Sequence, residues 1–241
     1  MTLTPDENWQ ERTRLLLGEE RCERMARASI AVVGTGGVGA YAAEMLCRAG
    51  VGRLTLIDAD CVAPSNINRQ LPALHSLVGQ KKVDVLARRF LDINPRLHLD
   101  VRAAYLTPDD MPALLDENFD FIVDAIDTIA PKCALLIEAL RRHQPIVSSM
   151  GAGAKTDITQ IRQDDLWRTF HCGLAKAVRH NLARAGLRGW KLPVVFSTEQ
   201  ADRAAVMTVE GERNKKTTAG TVSYMPATFG CFLAAYVIRK L

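Results

Sequence analysis

Gly34-Thr35-Gly36-Gly37-Val38-Gly39 lies between an apolar run, Ser29–Val33, and a segment of small and apolar residues, Val38–Ala49. Glycines in a strand-to-helix turn let backbone N–H groups and the helix N-terminus approach a phosphate. Asp58 stands 19 positions after Gly39, a spacing at which an acidic residue commonly holds a ribose hydroxyl. So far an NAD-dependent oxidoreductase fits as well as an ATP enzyme. The stretch Asp58-Ala59-Asp60-Cys61-Val62-Ala63-Pro64-Ser65-Asn66-Ile67-Asn68-Arg69-Gln70, with Lys82 thirteen residues beyond Arg69, separates the two. A triphosphate attacked at its α-phosphorus must have its charge neutralised, a task that suits Arg69 and Lys82; either is also readable as a surface cation. Asp124-Ala125-Ile126-Asp127 closes another apolar run, at the sheet edge where nucleotides bind in such folds, and carboxylates there could hold Mg²⁺. Asp127 is equally readable as a helix N-cap.

These residues need a scaffold that brings several strand ends together. Apolar runs alternate with segments of helical period, which predicts a parallel sheet. Strands are expected at Ser29–Val33, Arg53–Ile57, Leu97–Val101, Phe119–Val123 and Pro145–Ser149, and helices at Val38–Ala49, Gln80–Ile93 and Lys132–Arg142. In Gln80–Ile93 the residues Val83, Leu86, Ala87, Phe90 and Ile93 recur every three or four positions, and Asn94-Pro95 stops the helix. Asp164–Gly189 reads as an insertion with its own helix, and Gly220–Tyr224 as a late strand leading into a last helix. The fold class is α/β: a Rossmann-like, mostly parallel sheet with helices on both faces, plus a variable insertion and late strands.

With 241 residues and 48% hydrophobic content the chain can bury a substantial core. Charges run through the first twenty residues, so no secretory signal is expected. Tyr224–Ile238 is too short for a membrane span and contains Pro226 and Gly230; a cytoplasmic protein is the default. Six dispersed cysteines form no CxxC pair and no zinc spacing. Residues 1–154 carry net charge −3 and residues 155–241 carry +7, an asymmetry pointing to a polyanionic partner or to a solvated basic face.

Taken together, Gly34–Gly39, Asp58–Gln70, Val78-Gly79-Gln80-Lys81-Lys82, Ile93-Asn94-Pro95 and Asp124–Asp127 resemble the adenylation core shared by ubiquitin-activating enzymes and the molybdopterin- and thiamine-pathway adenylyltransferases. The resemblance implies an ATP site formed by Gly34, Gly36, Gly37, Gly39, Asp58, Asp60, Asn66, Arg69, Gln70, Lys82 and Asp127. In it Asp58 binds the ribose, Asn66, Arg69 and Lys82 the phosphates, and Asp127 the magnesium. It also implies a homodimer, in which Arg12 reaches across to the γ-phosphate, with Arg14 as the competing candidate. On this reading residues 1–241 are one adenylation domain, with a nucleotide-binding core at 28–150 and an insertion, late strand and C-terminal helix at 151–241.

The missing CxxC pairs depart from the sulfur-carrier adenylyltransferases. Arg12–Glu19, Gly34–Arg69, Asp124–Asp127, Leu174–Arg179, Val195–Glu199 and Gly220–Pro226 instead resemble the tRNA threonylcarbamoyladenosine dehydratases along nearly the whole chain. That family implies a ligase that uses ATP to activate the threonine carboxylate of a modified adenosine and then closes a ring intramolecularly. The alternative is an enzyme that adenylates the C-terminus of a sulfur-carrier or ubiquitin-like protein. Cys172 keeps it open, since thioester-forming relatives carry a cysteine in the corresponding region; a surface thiol is the simpler account. If Gly173–Ala185 is helical, Lys176, His180 and Arg184 share one side with Arg179 beside them, and Leu174, Val178 and Leu182 line another. With Lys215 and Lys216 they could follow a tRNA backbone by charge. A monovalent cation ordering the insertion and a sulfur-transfer protein partner are further open possibilities.

Overall fold

A computed structural model describes residues 9–208 and 217–241. Its framework is a seven-stranded sheet of order β3-β2-β1-β4-β5-β7-β6. The strands are β1 (Ser29–Val33), β2 (Arg53–Ile57), β3 (His98–Arg102), β4 (Phe121–Asp124), β5 (Ile146–Ser149), β6 (Ile161–Asp165) and β7 (Pro193–Ser197). Every pairing is parallel except that of the edge strand β6 with β7. A separate two-stranded antiparallel ribbon pairs β8 (Val206–Thr208) with β9 (Thr217–Ala219).

Eight helices among the described residues complete the fold: α1 (Glu11–Leu17), α2 (Glu19–Arg27), α3 (Gly39–Ala49), α4 (Lys82–Ile93), α5 (Met111–Leu115), α6 (Ile129–Arg141), α7 (Gly173–Arg184) and α8 (Tyr224–Lys240). Side-chain alternation along the strands sorts them into two layers. Ile30, Val32 and Val123 point toward Leu46 of α3, Leu86 and Phe90 of α4, and Phe229 and Leu233 of α8. Ala31, Val33 and Ile122 point the other way, toward Leu114 of α5, Leu136 of α6, and Val178 and Leu182 of α7. A parallel sheet covered on both faces needs near-continuous apolar strands, which is what the runs provide.

The expected strands at β1 and β2 hold residue for residue, and the others hold within two residues. One expectation changes. Gly220–Tyr224 is not a strand: the ribbon ends at Ala219, and Tyr224 already begins α8, whose first turn contains Pro226. Asp164–Gly189, expected as an insertion with its own helix, contains α7 as that helix and also reaches into the sheet. Asp164 and Asp165 end β6, and α7 packs Ala175, Val178 and Leu182 into the second layer.

Candidate functional site

The strand order reverses between β1, whose chain continues to β2, and β4, which begins the other half. In open α/β sheets the crevice beyond the carboxyl ends at such a reversal is the ligand site. The Gly34–Gly39 loop follows β1 and the Asp124–Asp127 loop follows β4, side by side. Gly34 has φ +88, and a Cβ there would lie 2.8 Å from the Ala125 carbonyl oxygen. A Cβ on Gly39 would fall 1.8 Å from the Gly34 carbonyl oxygen. Both glycines are therefore required by the protein's own packing. Gly37 lies against Pro226, where a Cβ would come within 3.1 Å, whereas a Cβ on Gly36 would meet nothing nearer than Gln70 Nε2 at 3.8 Å. The space at Gly36 is thus left open beside the loop. Beside it, Gln70 Oε1 is buried with no hydrogen-bond partner, an acceptor left for a donor from outside the chain.

Asp58, just past β2, is tied to this loop. Its Oδ2 accepts from Thr35 N at 2.6 Å and Thr35 Oγ1 at 3.0 Å, and its Oδ1 accepts from Asp60 N at 2.9 Å. A carboxylate has about four acceptor positions, so one on Oδ1 is open to a hydroxyl. Lys82 opens α4 and is only 3% exposed. Its Nζ donates to Asp60 Oδ2 at 2.6 Å, a pairing that holds a desolvated ammonium in place. Arg69 donates from Nη1 to Ser65 O at 2.7 Å and Asn68 Oδ1 at 2.8 Å, and its stem runs beside Gly37. Asn66 accepts from Ala63 N at 3.1 Å, so it also shapes the turn that carries Arg69. Asp58, Asp60 and Lys82 are thus linked by direct contacts, with Arg69 and Gln70 on the facing loop.

Across the crevice, Asp124 is fully buried and bound by Lys132 Nζ at 2.7 Å, Ser148 Oγ at 2.6 Å and Ile126 N at 3.1 Å. Lys132 Nζ also reaches Ile126 O at 3.0 Å. Asp124 is therefore a brace for the loop, and the exposed Asp127 is the carboxylate that faces solvent there. No cluster of three or more metal-ligating side chains occurs among the described residues. A single carboxylate suits Mg²⁺ that takes its remaining oxygens from phosphates and water.

Arg12 is exposed on α1, a helix with no buried residue, whereas Arg14 is ion-paired with Glu19. On α7, Lys176, His180 and Arg184 face outward. Arg179 turns inward, binding Thr169 O at 2.9 Å and Thr169 Oγ1, because the preceding loop leaves those acceptors beside it. Lys215 and Lys216 lie outside the described residues.

The carboxyl ends of β5 and β7 form the other half of this edge. Cys172 caps α7: its sulfur accepts from Ala175 N and Gly151 N, both at 3.4 Å. Lys155 is buried with its Nζ on Ser197 O at 2.8 Å. Burial pushes its ammonium below the usual lysine range, against the opposing pull of Cys172 and Glu199. His171 has φ 52 and places Nδ1 2.9 Å from Thr198 O. Sequence reasoning gives Lys132 no place in the site and notes His171 only as a neighbour of Cys172. A lysine eight residues after Asp124 is the only visible trace of the first, and adjacency to Cys172 that of the second.

The ThiF family matches residues 10–241. The tRNA threonylcarbamoyladenosine dehydratase of Bacillus subtilis is 37% identical over 95% of this chain and 93% of its own length. The Escherichia coli dehydratase is 36% identical over 100% of this chain and 97% of its own. The crystal structure of Escherichia coli tRNA N6-threonylcarbamoyladenosine dehydratase, TcdA, in complex with ATP superposes with a TM-score of 0.88 at 34% identity, covering 99% of this chain and 96% of that one.

Proposed function

The chain belongs to the ThiF family, and from that membership we propose that it adenylates the threonine carboxylate of tRNA threonylcarbamoyladenosine with ATP and then closes it into the cyclic form. The observation that carries the reading is the buried Lys82 ammonium, locked by Asp60 next to a glycine loop that leaves room at Gly36. A cation fixed there before substrate arrives is pre-organised for phosphate charge.

Gly36 and Gly37 supply backbone for the phosphates, Gln70 Oε1 an acceptor for the nucleotide, and Asp58 Oδ1 the ribose contact. Arg69 and Lys82 offset charge as the carboxylate oxygen attacks the α-phosphorus; the bond to pyrophosphate breaks and a mixed anhydride with AMP forms. Asp127 would hold Mg²⁺, which adds positive charge on the departing oxygens. An atom of the same threonylcarbamoyl group then attacks the activated carbonyl, so no external nucleophile is needed. Cys172, whose sulfur caps α7, is structural on this reading.

The enzyme acts in the cytoplasm as a homodimer. Leu15 and Leu16 on α1, 87% and 82% exposed, offer an apolar contact for a second subunit, and Arg12 on the same helix is carried to the partner's γ-phosphate. The outward cations Lys176, His180 and Arg184 follow the tRNA backbone, joined by Lys215 and Lys216. A monovalent cation near α7 and a docked sulfur-transfer protein are compatible with this arrangement but are not needed by the chemistry.

ATP–pyrophosphate exchange supported by tRNA carrying threonylcarbamoyladenosine tests the reading. Loss of the cyclic nucleoside from tRNA of cells lacking the protein is the expected companion result. Exchange driven instead by a small protein ending in Gly-Gly would replace this reading with the carrier-activating one.

A further inference from the structure

The amino edge of the sheet, opposite the nucleotide crevice, holds a cavity of about 660 Å³ that opens where Phe121, Ile146 and Pro193 begin β4, β5 and β7. Its volume falls in the range of small-molecule sites. No residue of the ATP crevice lines it.

Three aromatic rings border this cavity, and contacts hold each in place. Trp190 is 40% exposed, yet its N–H donates to Leu187 O at 3.1 Å and its carbonyl accepts from Trp167 Nε1 at 2.8 Å. The His143 ring lies parallel to the indole within 12°, with centroids 5.9 Å apart, on a backbone turned left-handed at φ 55. Tyr236 meets the buried Phe121 edge-on at 5.9 Å. Two lysines add charge: Lys191 is exposed beside Trp190, and Lys240 Nζ stands 5.8 Å from the centre of the Tyr236 ring. Asp120 is the one acidic side chain among the described residues of the lining, and it accepts from Ser29 N at 2.8 Å. Flat rings set beside lysines match a group that is planar on one side and anionic on the other. Unpaired nucleotides are held in this way, the base stacked on aromatic faces and the phosphate met by cations. A cationic ligand would be repelled, and a purely apolar one would leave the lysines without a role.

α7 joins this cavity to the opposite edge. It starts beside the end of β5, where the Cys172 sulfur accepts from Gly151 N, and after it the chain passes Arg188, Trp190 and Lys191 before entering β7 at the amino edge. Its twelve residues span ~18 Å. The outward cations Lys176, His180 and Arg184 lie along that span. Arg141 Nη2 lies 3.5 Å from Ala185 O, which brings another cation to the end of α7, two residues before His143. A row of positive charge therefore leads from the nucleotide edge to the aromatic cavity. A stacked strand rising ~3.4 Å per nucleotide crosses that distance in about five nucleotides.

Resting on the tRNA reading above, we propose that this cavity binds an unpaired base of the tRNA, stacked against Trp190 and His143, with Lys191 and Lys240 meeting its phosphates. The RNA is then gripped at a point remote from the adenosine that reacts.

Trp190→Ala removes the stacking face and keeps both backbone hydrogen bonds. tRNA affinity in a filter-binding assay should fall about 5- to 150-fold, and the slope of log K against log salt should not change, because no phosphate contact is lost. Trp190→Phe should regain most of the affinity, whereas Lys191→Ala should make the slope shallower by roughly one unit. A blunt-ended RNA duplex offers no unpaired base and should bind the wild type and Trp190→Ala equally. Unchanged tRNA affinity in Trp190→Ala, or an equal loss with the duplex, would overturn the proposal. So would saturating AMP that erases the difference between wild type and variant, which would assign the cavity to a free nucleotide, or a change of oligomeric state in Trp190→Ala, which would assign it to a second copy of the chain. A wild-type enzyme that binds tRNA but shows no pyrophosphate exchange with it would overturn the adenylation reading and leave this site standing; one that binds no tRNA would overturn both.

Discussion

Lys132→Met tests the brace beneath the candidate magnesium loop. Methionine keeps the unbranched stem but removes the ammonium that binds Asp124 Oδ2 and Ile126 O. Both partners of the ion pair are 0% exposed, so water cannot replace the missing cation. Asp124 would retain only Ser148 Oγ and Ile126 N. Breaking a fully buried pair from one side typically costs ~3–5 kcal/mol. At ~2–4 °C per kcal/mol for a domain of this size, the melting temperature should fall by about 6–20 °C. The double variant Asp124→Asn/Lys132→Met leaves no bare carboxylate and should be more stable than Lys132→Met alone. Urea titrations of the two single variants and the double, with equal slopes, give the coupling between them. A loss below ~1 kcal/mol for Lys132→Met, or a double variant whose loss equals the sum of the singles, would show that the pair is not a coupled unit.

Gly39→Ala should lower stability sharply and prevent assembly of the loop, since its Cβ would fall 1.8 Å from Gly34 O; Gly36→Ala should melt like the wild type yet bind ATP more weakly, as read by calorimetry. Arg179→Ala should shift the melting curve with little change in the salt dependence of tRNA binding, because its guanidinium is spent on Thr169. By contrast, Lys176→Glu/Arg184→Glu should leave the melting curve in place and make the slope of log K against log salt shallower, by roughly one unit for each phosphate that α7 no longer neutralises. Mixed dimers of Arg12→Ala with Lys82→Ala should recover one working site when the two subunits complement; verified heterodimers with no exchange activity would mean that Arg12 does not act in trans.

The nucleotide half of the molecule is legible because its signals are local. Gly34–Gly39 sits between a buried strand and a helix, and Asp58, Arg69 and Lys82 follow within fifty residues, so pattern and spacing alone locate the crevice. What stays hidden depends on contacts between distant segments. Ile161-Arg162-Gln163-Asp164-Asp165 has no strand alternation and is extended only because β7 pairs with it. Arg179 reads as a phosphate contact on a helical wheel, and only the turn at Thr169 draws it inward. A lysine is by default a surface residue, so the burial of Lys132 against Asp124 cannot be read from an eight-residue spacing. The left-handed backbone of His171 has no sequence mark at all.

The contact of Gly37 with Pro226 also bears on how the enzyme comes into being. The phosphate loop is made early in translation, but the helix packed on it is made almost two hundred residues later. Gly230 of that helix approaches the loop-side backbone so closely that a Cβ would lie 2.5 Å from Val38 O. A nascent chain that has not yet produced α8 therefore exposes the apolar face of α3, including Leu46. Closing so long a loop is slow, and the partly folded intermediate is open to aggregation or chaperone capture until it happens. Completion of the crevice is thus a late event in the life of the polypeptide, although the glycine loop and Asp58, proposed to meet ATP, are among the first residues to be synthesised.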